Sequence, residues 1–144
     1  MLRGNSETKV DDKGRLKIPA AFKKVFDEAF PESKFFVTSL EGKSARIYPL
    51  QEWTKVEEKF KSSFDPLMAL LKHKVNYWGG EAEIDTQGRI LIPQVLREHL
   101  KMQGDVSVMG MTNYLEVSTS EKARQRAEQE FTPEEWAKLE QRGI

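Results

Sequence analysis

The feature that most constrains this chain is a repeat. A shift of 74 positions lays Val10-Asp11-Asp12-Lys13-Gly14-Arg15-Leu16-Lys17-Ile18-Pro19 over Ile84-Asp85-Thr86-Gln87-Gly88-Arg89-Ile90-Leu91-Ile92-Pro93, with five of the ten positions identical. The likeness continues at the same offset, with Phe22 against Leu96, Lys23 against Arg97 and Phe26 against Leu100. A chain of 144 residues is near the modal size of one domain, so two copies of so short a unit must share a core.

Each copy predicts the same local order. A strand ends at the aspartate, the glycine turns the chain, and a short β-branched strand follows over Leu16 to Ile18 or Ile90 to Ile92. Pro19 and Pro93 then suit a first helical position, where a missing amide hydrogen loses no helical bond. Phe22, Val25, Phe26, Ala29 and Phe30 recur at helical spacing, as do Val95, Leu96 and Leu100. A hairpin follows each helix: Phe35 to Leu40 with Ala45 to Tyr48, and Val106 to Met111 with Tyr114 to Val117, the latter turning near Thr112-Asn113. Helix closes each half, starting at Pro49-Leu50 and at Ser118-Thr119-Ser120-Glu121, whose serine-to-glutamate spacing fits a capping box. Asp65-Pro66 and Thr132-Pro133 read as two further helix starts. Trp53, Phe60, Phe64 and the Leu67-Met68-Leu70-Leu71 cluster read as helix packing or subunit interface, and Tyr77-Trp78 as packing at a strand edge.

The expected architecture is α+β and mainly β, with two tandem halves interleaved about a pseudo-two-fold axis into one β-barrel with flanking helices. The halves are expected at 5–52 and 76–120, with a helical connector at 53–75 and C-terminal helices at 121–144. With no Cys and only His73 and His99, disulfides, thiolate chemistry and histidine-rich metal sites are not expected, and no cofactor is called for. No stretch approaches the roughly 20 apolar residues of a membrane helix, and the N-terminus lacks a signal-peptide core, so a cytoplasmic protein without membrane partners is expected.

The formal net charge is zero, but its distribution is uneven. Arg3, Lys9, Lys13, Arg15, Lys17, Lys23 and Lys24 face only Glu7, Asp11 and Asp12 within residues 1–24, a local excess of +4. Residues 81–101 carry three basic and four acidic side chains.

The loop itself has a specific chemistry. Gly14 and Gly88 suit a positive φ, and Asp11 and Asp85 can accept hydrogen bonds from loop amides, which pre-organises the turn. The arginine beyond each turn is then held at the tip, where it can donate two bonds to a guanine edge or a phosphate. Lys13 and Lys17 flank Arg15, whereas Gln87 and Leu91 stand at the matching places around Arg89. Charge context therefore favours Arg15, with Lys13 and Lys17, as the main contact to double-stranded DNA. It leaves Arg89 partly structural and Arg3 and Lys9 as weaker candidates. Two other classes compete: a protein-interaction module, such as an antitoxin, and a small-barrel enzyme using Asp11 and Asp85 as paired carboxylates. No small-molecule ligand is indicated.

The run Ile84 to Arg97 resembles the loop-and-helix signature of the AbrB superfamily of swapped-hairpin, DNA-binding barrels. The tandem duplication, with Arg3-Gly4 before the first loop, Gly79-Gly80-Glu81-Ala82 before the second and Trp53 after the first hairpin, narrows the resemblance to the MraZ family of transcriptional regulators. It implies two tandem SpoVT/AbrB-like halves and sequence-specific binding to a repeated operator ahead of the division and cell-wall gene cluster, commonly the protein's own promoter. It also implies self-association into a closed ring and a place on the nucleoid. Asp11, Gly14, Arg15 and Pro19 match the family pattern in the first copy, as do Asp85, Gly88, Arg89, Pro93 and Arg97 in the second. Lys23 stands where an arginine is usual, which keeps the charge and loses the planar fork. Lys23 and Arg97 are thus auxiliary basic positions.

Overall fold

The computed structural model describes residues 1–144. Eight strands and six helices follow in the order β1 (Leu2–Val10), β2 (Arg15–Lys17), α1 (Ala20–Ala29), β3 (Lys34–Thr38), β4 (Ala45–Pro49), α2 (Leu50–Lys61), α3 (Pro66–Trp78), β5 (Gly80–Glu83), β6 (Arg89–Leu91), α4 (Gln94–Leu100), β7 (Gly104–Thr112), β8 (Leu115–Thr119), α5 (Ser120–Ala127) and α6 (Pro133–Gln141). All strands join one antiparallel sheet in the order β5-β3-β4-β8-β7-β1-β2-β6, which curls into a nearly closed barrel.

The two halves are interleaved. β1 pairs with β7, β2 with β6, β3 with β5 and β4 with β8, so every strand of the first half has a partner in the second. The pairing is symmetric about Leu16↔Ile90 and again about Arg46↔Glu116, as a pseudo-two-fold axis through both ladders requires. Two reciprocal bonds state the same symmetry: Ile18 N donates to Gly88 O and Ile92 N to Gly14 O, each at 2.9 Å.

The core lies inside the barrel and is drawn from both copies. Leu16, Ile18, Ile47, Ile90, Ile92 and Leu115 are all buried in one cluster. Burying such side chains contributes about 1.5–3 kcal/mol each. Six of them supply as much as the whole net stability of an ordinary domain, roughly 5–15 kcal/mol. Neither half keeps that burial alone, so the duplication yields one folding unit.

A second, smaller core sits outside the barrel, where Trp53 and Phe60 of α2 and Val75 of α3 pack against Tyr48 on β4. Trp53 stacks on Phe36 at 4.6 Å between ring centres and leans on Tyr48 at 5.0 Å. The second half has no counterpart. Neither α5 nor α6 buries a residue, and Phe131 and Trp136 pair with each other in solvent at 5.8 Å.

Several local expectations are corrected. Pro19 and Pro93 are the N-caps of α1 and α4, one place before the first helical residue, with extended ψ of 140° and 137°. The incoming strand imposes that ψ, and the proline carbonyl still accepts the first helical amides. The cap of α5 is Thr119, the last residue of β8, bonded to Lys122 N, so the helix starts one place later than a Ser118–Glu121 box requires. The reciprocal box is at α6, between Thr132 and Glu135. Ala29 and Val95 of the two apolar faces are exposed, so α1 and α4 bury narrower stripes than their periodicity suggests; in the cluster read as helix packing or subunit interface, Met68 and Leu71 pack on the outer core while Phe64, Leu67 and Leu70 are exposed on this chain. Tyr77 and Trp78 end α3 and do not lie on a strand edge; Trp78 packs on His99 at 4.4 Å.

Candidate functional site

Each Asp-x-x-Gly-Arg loop is closed by its own residues. Asp11 Oδ1 accepts the amides of Lys13 at 3.0 Å and Arg15 at 2.9 Å, while Oδ2 accepts Arg15 Nε at 2.8 Å. Asp85 repeats the pattern with Gln87 N at 2.9 Å, Arg89 N at 2.9 Å and Arg89 Nε at 3.0 Å. Gly14 and Gly88 take φ of 82° and 76°, the left-handed conformation that the turn needs and that a side chain disfavours. One short acid, one glycine and one arginine within five residues therefore close the turn of each tip.

The electrostatics follow from these bonds. The Arg15 backbone amide is the largest cause holding the Asp11 carboxyl below its ordinary value, and the Arg89 amide does the same for Asp85. A carboxylate that shuttles protons needs a pKa near the working pH, reached by an upward shift. These two move the other way, with two loop amides and the arginine Nε in each copy favouring the ionised carboxylate.

Because each aspartate takes the arginine through Nε, the terminal guanidinium nitrogens of Arg15 are left without an acidic partner, and those of Arg89 meet only Asp11, through Nη1 at 4.0 Å. The Arg15 side chain is 32% exposed and that of Arg89 24%. The antiparallel β2·β6 pair is short, so the two tips at its opposite ends stay close, with Arg89 Nη1 4.0 Å from Asp11. Lys13 is exposed on the first tip.

Pairing across the halves redistributes the remaining cations, and here the charge tally along the chain misleads. The β2·β6 register sets Lys17 opposite Arg89 and Leu91 opposite Arg15. Lys17 Nζ donates to the backbone carbonyl of Gln87, so its charge, counted with the first loop in sequence, belongs to the second loop in space. The exchange is reciprocal one layer deeper. Arg97 of α4 passes beneath Gly14: a Cβ there would meet its Nε, and its Cδ and Cζ at 2.5 Å. Arg97 Nε is buried with no hydrogen-bond partner, and Arg97 forms no ion pair. A Cβ on Gly88 would meet Lys17 Nζ at 3.0 Å and the Lys23 stem at 3.7 Å, while Lys23 Nζ pairs with Asp27 at 2.8 Å.

The structure thus brings together Lys13, Arg15, Lys17, Arg89, Lys23 and Arg97 around the paired loops. Arg3 stands apart, paired with Met111 toward the far end of β1, about 24 Å of strand from Val10. Lys9 lies near the loop end but is exposed and 3.9 Å from Asp105. The placement of Lys17 and Arg97 under the loop of the opposite half was missed from sequence. A symmetric antiparallel register for two copies of one strand was the signal that could have revealed Lys17.

The chain matches a family model described as "MraZ protein, putative antitoxin-like" over residues 1–73 and again over 80–142. It is 51% identical over 130 residues to the Transcriptional regulator MraZ of Acidobacterium capsulatum, covering 89% of this chain and 88% of that protein. It is 43% identical over 147 residues to the protein of the same name from Koribacter versatilis, with both chains covered completely. A third of that name, from Caldicellulosiruptor saccharolyticus, is 35% identical over 151 residues, again covering both chains fully.

Proposed function

The chain belongs to the MraZ family, and on that premise we propose that it is a sequence-specific DNA-binding transcriptional regulator whose paired loops read a repeated operator in double-stranded DNA. The observation that carries this is the arginine geometry: two adjacent tips, each holding its arginine by Nε, with the terminal fork of Arg15 left without an acidic partner and that of Arg89 meeting only Asp11. A bidentate base contact by such a fork contributes about 1–3 kcal/mol of discrimination.

Arg15 is the principal contact and Lys13 its phosphate-binding neighbour. Arg15 is the more exposed of the two arginines, and Arg89 shares Asp11. Asp11, Gly14 and Pro19, with Asp85, Gly88 and Pro93, structure the loops. The target is the regulator's own promoter and the division and cell-wall genes behind it, and the protein works on the nucleoid. Helical C-terminal segments, α5 and α6, support this reading over an antitoxin with an extended tail.

A chain of zero net charge gains affinity by presenting several loops at once, because linked sites convert later contacts into intramolecular ones. Subunits therefore assemble into a closed ring. Two unlike exposed faces support such head-to-tail contact. One is α3, apolar through Leu67 and Leu70 and basic through Lys72 and Lys74. The other is the aromatic pair Phe131 and Trp136 beside Glu128, Glu130, Glu134 and Glu135.

Footprinting on DNA upstream of the protein's own gene tests the proposal. Protection of evenly spaced repeats, weakened about 5- to 150-fold by Arg15→Ala, is the expected result. A duplex with one repeat should bind much more weakly than one with several at equal salt. No protected repeat would refute the regulator reading, and equal affinities would refute the multivalent one.

A further inference from the structure

The two loops have the same backbone but different undersides. Under Gly14 runs one arginine, Arg97, delivered by the helix of the opposite half. The pseudo-symmetric place under Gly88 belongs to Lys23, whose amine turns away to Asp27 and leaves only its stem, with Cδ at 3.7 Å. The space under the second loop is filled by Lys17, whose amine bonds the Gln87 carbonyl and sits 3.0 Å from where a Gly88 Cβ would lie. No such brace is available to the first loop, because the residue matching Lys17 is Leu91, which is exposed.

We infer that Lys17 is a positioning residue for the second loop. With the Lys23 stem it replaces the arginine that Arg97 supplies to the first loop, and it is not a phosphate contact. Lys17 has three donors on a flexible stem, so its amine can satisfy the Gln87 carbonyl while the Lys23 amine is held by Asp27. The consequence is a division of labour among basic residues that look alike in sequence: Lys13 faces the partner, while Lys17 holds Arg89 in place. Only the second readout below rests on the loop arginines being DNA contacts.

The first readout is amide hydrogen exchange of the full-length protein, followed separately in the two loops. Lys17→Ala should speed exchange at Gln87, Gly88 and Arg89 by about tenfold, the effect of one lost charge-assisted hydrogen bond, and leave Lys13 to Arg15 unchanged. Adding Lys23→Arg should restore protection, since an arginine there can run beneath Gly88 as Arg97 runs beneath Gly14. The second readout is the salt dependence of binding to a duplex spanning the region upstream of the protein's own gene. Lys13→Ala should lower the slope of log affinity on log salt by about one, as losing one phosphate contact does. Lys17→Ala should weaken binding with the slope unchanged. Unaltered exchange in Lys17→Ala, or failure of Lys23→Arg to restore protection, would overturn the inference, as would a slope reduced by about one in Lys17→Ala. If the wild-type protein ignores the duplex, the proposed function fails, while the exchange experiment still decides the role of Lys17.

Discussion

Replacing Gly14 with Ala makes two distinct demands that the structure separates. The first is conformational: φ is 82°, and an L side chain in the left-handed region costs about 1–2 kcal/mol. The second is steric: the new methyl would coincide with the Arg97 guanidinium stem, with Cδ and Cζ at 2.5 Å, and forcing extra volume into such a contact costs about 1–3 kcal/mol. Gly104 provides the control, because its φ is 78° and nothing lies within 4 Å of its would-be Cβ. Gly104→Ala should therefore cost the conformational part alone, and Gly14→Ala about 1–3 kcal/mol more. At about 2–4 °C per kcal/mol for a chain near this size, the gap in Tm is about 2 to 12 °C. The assay is thermal unfolding followed by far-UV circular dichroism, at one protomer concentration so that assembly does not shift the midpoint. In an Arg97→Ala background the steric part disappears, and both substitutions should cost the same within about 0.5 kcal/mol. Equal costs in the wild-type background, or an undiminished gap without Arg97, would refute the reasoning.

Asp11 and Asp85 have folded-state pKa values below the ordinary 3.8, so their stabilising effect is fully present above that value and is lost as pH falls through the lower folded value. The double substitution Asp11→Asn with Asp85→Asn should flatten the fall of Tm below about pH 4, and an unchanged acid limb would contradict the bonding described. Trp53→Ala removes the centre of the outer core and should cost about 3–5 kcal/mol in chemical denaturation while the barrel's strand signal persists. Leu67→Ser with Trp136→Ser should reduce self-association in sedimentation without lowering monomer stability by more than about 0.5 kcal/mol, since both side chains are exposed; assembly unchanged by the pair would exclude these faces from the ring contact.

The sequence by itself determined what is local and what is duplicated. The turn was legible because the aspartate's bonds close within five residues: an acid to accept amides, a glycine for positive φ and an arginine held by Nε. Duplication made one shared barrel legible, since neither copy carries enough apolar surface to fold alone. The helix faces were read in outline but too wide, because periodicity marks the side that can be buried and not how much of it a neighbour covers; Val95 and Ala29 stay exposed. The strand β1 was not legible beyond its last residues, for Arg3 to Lys9 is polar and its nine-residue ladder with β7 is set by the partner strand. Only tertiary structure decided which cation serves which loop. Lys17 stands two residues from Arg15 in the chain, yet an antiparallel register centred on Leu16 and Ile90 carries it to Arg89. In the same way Arg97 lies beneath Gly14, 83 positions away. Charge sums along a chain describe neighbours in sequence, and in an interleaved barrel the neighbours that share a loop come from the other half.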